Sequence, residues 1–297
     1  MIISASRRTD IPAFYVEWFT KRLREKFCIV QNPFNQSSFH RINLDPREVD
    51  VIVFWTRNAQ PILRHLPDMD RMGYRYYFHY TITGNTRLLD PYCPDPVDAL
   101  TTFKQLSETI GPDKVIWRYD PIAFTLETDE KFHREMFEFL ASKLRGFTKR
   151  VVVSLVQTYR KNRRRLRTAD DSGALLIDVS SRRLEVLMRS LTSIAVANGI
   201  EILSCAQEKD LSPFGIKAGR CIDPDLIESL FGLNVSRRKD PGQRPACRCA
   251  VSRDIGAYDT CIYGCRYCYA TTSIERARRR FQAHDPLSPM LAPREGF

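Results

Sequence analysis

Apolar residues in this chain gather into short continuous blocks separated by stretches of longer period. Six blocks read as buried parallel strands: Ile2–Ser6, Val49–Phe54, Tyr74–Thr81, Lys114–Tyr119, Arg150–Val156 and Glu201–Cys205. Each is short, and most are rich in Val, Ile and aromatics, which suit a pleated, covered surface. Between them the spacing becomes helical. Phe132, Met136, Phe139, Leu140 and Leu144 fall on one face, as do Leu184, Leu187, Leu191 and Ile194. Gly73, Gly111, Gly146 and Gly199 each follow a helical stretch and precede a strand, where a left-handed residue ends a helix. Thr128 before Asp129-Glu130 reads as a cap with an acidic first turn, and Asp223-Pro224 as a cap followed by proline.

Strand–helix alternation repeated six times implies a parallel sheet with right-handed crossovers. The expected fold class is α/β, a partial TIM-type barrel of six βα units, with an open doubly wound sheet as the alternative. The expected divisions are a barrel-like core over 1–210, a cysteine-rich segment over 211–283 on the barrel mouth, and an irregular tail over 284–297. Arg160–Thr168 with Ala169–Gly173 reads as an exposed insertion. Ligands of parallel α/β folds bind at the carboxyl ends of the strands. Those ends offer Arg7, Arg8 and Asp10, then Trp55-Thr-Arg-Asn58, then Thr81 and Thr83, then Arg118, Tyr119 and Asp120, then Gln157 and Tyr159, and finally Cys205 and Gln207. Asp10, just before Ile11-Pro12, also suits a helix cap.

Composition narrows the function classes. No apolar run approaches the roughly 20 residues that span a bilayer. Met1–Arg8 lacks the order of a secretory signal, so a cytoplasmic location without a membrane partner is expected. Lys and Arg outnumber Asp and Glu by 46 to 35, a balance suited to an anionic partner or simply to solubility. Two dense basic runs, Tyr159–Arg167 and Arg276–Phe281, suit either nucleic-acid phosphates or a solvated helix face. His79 falls in the third block, and His40, His65, His133 and His284 are read as surface residues.

Seven of the nine cysteines lie in the last third of the chain. Clustered thiols in a cytosolic chain point to metal or redox chemistry. Cys261, Cys265 and Cys268 form C-x3-C-x2-C, with Tyr267 just before the last cysteine and Gly264 allowing a tight turn. Three thiolates at this spacing can hold three irons of a 4Fe–4S cluster and leave the fourth open; the competing reading is a zinc site completed by Cys249. Cys205, Cys221, Cys247 and Cys249 are spaced 16, 26 and 2 residues apart, which matches no compact motif. They are read either as a second cluster or zinc site or as small buried hydrophobes. Cys28 and Cys93 are set aside as structural.

The motif with its aromatic resembles the signature of radical S-adenosylmethionine enzymes. That resemblance implies a partial barrel carrying a cysteine-rich iron–sulfur segment, and S-adenosylmethionine on the open iron. It implies Arg118, Asp120 and Arg7 as residues that orient cofactor or substrate, and Thr56, Asn58 and Tyr267 as cofactor-binding. A small-molecule or anionic substrate is expected, with reduced ferredoxin or flavodoxin as electron donor. The motif follows the sixth strand rather than the first, so a permuted arrangement is expected, and Trp55–Asn58 stands where many members carry Gly-Gly-Glu. Four phrases also resemble a bacterial family of unknown function along nearly the whole chain: Ile3–Tyr15, Val53–Thr56, Trp117–Pro121 and Ser252–Cys261.

Overall fold

The six apolar blocks become the spine of one sheet. A computed structural model describes residues 1–33, 35, 37–167 and 175–292; the expected insertion at Ala169–Gly173 lies outside them, as does the chain after 292. The strands are β1 (Ile2–Ala5), β2 (Phe27–Gln31), β3 (Phe39–Asn43), β4 (Val51–Thr56), β5 (Tyr76–Thr81), β6 (Val115–Ile122), β7 (Arg150–Leu155), β8 (Glu201–Ser204), β9 (Lys217–Ala218) and β10 (Arg253–Asp254). Eight of them form a parallel sheet in the order β10-β1-β4-β5-β6-β7-β8-β9. The order never reverses, which sets it apart from a doubly wound sheet. Among the described residues nothing pairs β9 with β10, so no closed barrel forms.

Register decides which side chains meet the helices. Ile52, Phe54, Tyr76, Phe78, Val115, Trp117, Val151 and Val153 share one core with helix residues Phe19, Ile62, Phe103, Phe137, Leu140, Leu187 and Leu191. Phe54 stacks on Phe78 at 4.5 Å, and Trp117 on Phe137 at 4.7 Å. Burial of each such ring contributes roughly 2–3 kcal/mol. The opposite face (Ile2, Val51, Val53, Tyr77, Ile116 and Val152) packs against Cys221, Ile222, Ile227, Cys247 and Cys249. The helices between the strands therefore cover one face, and the cysteine-bearing segment after β8, with its helix Pro224–Phe231, covers the other.

Local signals act largely as read. Gly199 has φ +70° after the helix Ser181–Ala197. Asp223 caps the helix Pro224–Phe231 by accepting from Asp225 N–H. One cap differs: Asp129, not Thr128, accepts from Phe132 N–H at 2.8 Å, and the Thr128 hydroxyl instead donates to Ala123 O at 2.6 Å. The antiparallel β2–β3 pair was not anticipated. It follows the helix Val16–Glu25, which ends on Lys26 at φ 62° rather than on glycine. The segment 211–283 supplies an edge strand at each side of the sheet, β9 beside β8 and β10 beside β1. The tail from His284 is irregular yet anchored, with Trp18 Nε1 donating to Ser288 O and Ile29 N–H to Pro289 O.

His133 departs from its expected surface position. It is buried, with Nδ1 at 2.9 Å from the Tyr119 hydroxyl and Nε2 at 3.1 Å from Ala123 O. The surface reading failed because His133 stands next to Phe132 at the buried edge of its helix. No described helix is long and apolar enough to cross a membrane.

Candidate metal centre

The thiol loop is built from its base upward. Asp259, at φ 55°, closes that base: its N–H donates to Ala270 O at 3.0 Å, and its carboxylate accepts Thr272 N–H. Gly264 turns the loop at φ +70°, and a Cβ there would stand 3.0 Å from the Tyr92 ring. Loop 86–93, which follows β5, docks alongside: Arg266 N–H donates to Leu89 O at 2.9 Å and Tyr92 N–H to Tyr263 O at 3.3 Å. From the other side the Tyr15 hydroxyl donates to Thr260 O at 2.6 Å.

The first basic run clamps this loop. The Arg165 guanidinium donates to Cys265 O at 2.9 Å, Thr271 O at 2.6 Å and Cys268 O. Asn162 Nδ2 donates to Tyr267 O at 2.8 Å. Arg165 and Asn162 were expected on an exposed insertion. They are drawn inward because four cysteine-loop carbonyls need donors.

Cys265 is buried, and Cys261 and Cys268 are half-buried. A fourth thiol joins them. Cys93 Sγ lies 3.5 Å from Cys265 Sγ, and Asp90, Cys93 and Cys265 bring their donor atoms within 4.8 Å of one another. Cys93 was set aside as structural; only Cys28 proves to be part of the aliphatic core. The available signal was the placement of Cys93 in Pro91-Tyr-Cys-Pro-Asp-Pro96, a rigid loop at the carboxyl end of β5.

The thiols fit a thiophilic metal. The hydrogen bond with Cys93, followed by burial, pushes the Cys265 thiol up. Burial, followed by the charge of Cys268, does the same for Cys261. For Cys265 the hydrogen bond, burial and the neighbouring thiol all favour the protonated form, as do burial and the neighbouring thiol for Cys261. A bound metal reverses that preference.

Beside the thiols lies a cavity of about 230 Å³ lined by Arg57, Thr83, Asn85, Arg87, Asp90 and Cys93. Arg57 is held against Asp90 at 3.3 Å and against Tyr267, whose hydroxyl also reaches Asp90 at 2.7 Å. Thr56 and Asn58 turn to local work. Thr56 Oγ1 accepts from Asn58 N–H and Asn58 Oδ1 from Gln60 N–H, each at 2.9 Å. Arg57, between them, is the residue that reaches the thiol loop. Asp10 caps its helix at 3.0 Å from Ala13 N and also accepts Arg57 N–H at 2.7 Å. Its carboxyl is raised to about 7 by burial.

The other four thiols converge on the inner face of the sheet. Cys205 Sγ is 3.3 Å from Cys221 Sγ, and Cys249 and Cys247 pack in the same cluster. Arg118, Asp120 and Arg7 stand here rather than at the first loop. Arg118 donates to Cys221 Sγ at 2.9 Å and pairs with Asp120, which Ser154 also contacts. Arg7 lies over the Trp55 ring at 5.1 Å, within electrostatic reach of Cys249 and Cys221. His79 stacks on Trp55, and its Nε2 is 2.7 Å from Cys221 O.

No curated protein matches this chain. A parallel sheet with its thiols gathered at one rim and one face thus characterises a chain that belongs to the family described as a domain of unknown function, DUF1848, whose model matches residues 2–270.

Proposed function

We propose that the chain is a radical S-adenosylmethionine-like iron–sulfur enzyme whose 4Fe–4S cluster is held by Cys261, Cys265 and Cys268. The observation that carries this reading is the loop itself: three thiols at C-x3-C-x2-C spacing, fixed by Arg165 and Asp259 and bordered by a polar cavity. The unreversed strand order, with helices on one face, supports a partial TIM-type barrel, a fold whose ligands sit at the carboxyl ends of its strands. A cubane with three protein ligands supplies an open iron and, once reduced, an electron for cleaving a sulfonium bond.

The chain's own residues then have defined tasks. The three thiols lose their protons on binding metal. Arg165 holds the loop carbonyls, so the sulfurs keep their geometry when the cluster changes charge. Arg57, charge-compensated by Asp90 and oriented by Tyr267, presents a cation to the cavity wall, where a carboxylate can bind. Arg87, on the same wall, favours an anionic substrate. Reduced ferredoxin or flavodoxin is the donor this reading calls for, and the cytoplasm is where such donors occur.

A second reading is a non-enzymatic iron–sulfur or zinc protein, and the contact between Cys93 and Cys265 favours it. A fourth thiolate would fill the position that an open site keeps free. One experiment separates the two. The chain is purified without oxygen, reconstituted with iron and sulfide, reduced and mixed with S-adenosylmethionine. The enzyme reading expects a cofactor-dependent change in the paramagnetic signal and release of 5′-deoxyadenosine, which Cys265→Ala abolishes and Cys93→Ser leaves in place. A cluster that ignores the cofactor and is lost in Cys93→Ser rejects the enzyme reading in favour of the closed site.

A further inference from the structure

We infer that Cys205, Cys221, Cys247 and Cys249 form a second, closed metal centre on the inner face of the sheet, binding a thiophilic metal through four thiolates. The four come from separate places in the chain: the residue after β8, the turn before the helix Pro224–Phe231, and two positions in the loop that precedes β10. Their side chains nevertheless gather in one cluster: Cys205 Sγ and Cys221 Sγ meet at 3.3 Å, and Cys249 and Cys247 pack beside them. Three of them are buried and Cys205 is half-buried.

Packing alone does not account for what surrounds them. Ile222 N–H points at Cys249 Sγ at 3.4 Å, and the Arg118 guanidinium points at Cys221 Sγ at 2.9 Å. Arg7 is a second guanidinium facing the set. Buried cations require anions: Arg118 pairs with Asp120, and Arg7 stands 3.8 Å from Asp240 and near Asp254, yet its Nη2 has no hydrogen-bond partner among the described residues. Four thiolates around a divalent ion, or around an oxidised cubane, carry a net charge of about −2, and the two guanidinium groups face that charge at close range. N–H and guanidinium donors to sulfur are also the outer-shell contacts that thiolate metal sites use. All four protein positions are filled, so the centre holds structure or passes electrons rather than binding substrate. A route to the first loop exists through Tyr269: its hydroxyl donates to Arg7 O at 2.9 Å, and its ring lies within electrostatic reach of Cys268.

The inference does not depend on what the first loop binds. Iron, acid-labile sulfide and zinc are measured per chain in the anaerobically prepared full-length protein and in two double variants, Cys221→Ser/Cys249→Ser and Cys261→Ser/Cys268→Ser. If both sites hold cubanes, each variant loses about half of the iron. If the second site holds zinc, the first variant alone loses zinc and keeps its iron. Unchanged iron and zinc in a folded Cys221→Ser/Cys249→Ser protein would overturn the inference. To guard against misfolding of that variant, cobalt(II) is titrated into the reduced, metal-free protein in which Cys93, Cys261, Cys265 and Cys268 are all replaced by serine. Intense sulfur-to-cobalt charge transfer with tetrahedral ligand-field bands is expected, and weak octahedral bands alone would also overturn it.

Discussion

Arg165 shows how a single side chain can decide the state of a metal loop. Its guanidinium serves three loop carbonyls, and charged donors of this kind contribute about 1.5–3 kcal/mol each before coupling. Arg165→Ala should leave the sheet intact while the reconstituted protein loses iron to a chelator at least several-fold faster. Arg165→Lys, with one rotatable ammonium instead of a fork, should recover only part of the difference. Iron release followed by absorbance checks both. A second residue reports on pH. Burial lowers His133 from 6.5 to about 4, so the unfolded chain takes up the proton first. Its contribution is complete above pH 6.5 and is lost as pH falls towards 4, by about 3 kcal/mol over that window. Urea unfolding at several pH values should show that much extra acid destabilisation in the parent relative to His133→Gln, after the offset at neutral pH is subtracted.

At the level of elements, the caps and strand ends set the site's position. Asp129 begins the helix Glu130–Leu144, which delivers Phe137 to Trp117. Asp129→Ala should cost about 1 kcal/mol in urea unfolding, with most of it retained by Asp129→Ser. The strand β6 was visible from Lys114–Tyr119, and its last turns carry Arg118 and Asp120 to the inner face. The β2–β3 pair was not visible, because its residues alternate poorly and follow a helix that ends without glycine. Cys93 was missed for a related reason. A lone thiol has no spacing to read, and its meaning comes from the loop that docks against it 172 residues later.

For the whole molecule, the C-terminal third is part of the sheet as well as the carrier of the thiols. Its β9 and β10 occupy both edges, and Ile222, Ile227, Cys247 and Cys249 cover the inner face. Asp254 ties this third to β1, accepting from Ser4 and Ser6 hydroxyls at 2.7 and 2.9 Å and from Arg7 N–H at 2.9 Å. A chain ending at residue 210 would expose Val51, Val53, Tyr77 and Ile116 to water. It should therefore lose its near-ultraviolet circular dichroism, bind a hydrophobic dye and aggregate, whereas the full chain does neither. A truncated chain with native near-ultraviolet signal would show that the first 210 residues fold alone. The basic excess is partly consumed at this scale too: Arg165 holds the thiol loop, and Arg280 donates to Tyr258 O at 3.0 Å. Arg160, Arg163 and Arg164 remain exposed.

The sequence by itself determined the six central strands, their parallel direction and the three-cysteine loop, because each is written in neighbouring residues. Periodicity, glycine stops and a tight C-x3-C-x2-C spacing act within one turn or one strand. Tertiary structure alone decided the partners. It brought Cys93 and Asp90 to Cys265, gathered four dispersed thiols under Arg118 and Arg7, and turned part of a basic run into a clamp. Those contacts join residues tens to hundreds of positions apart, and only sheet register and the path of the returning chain set their distances.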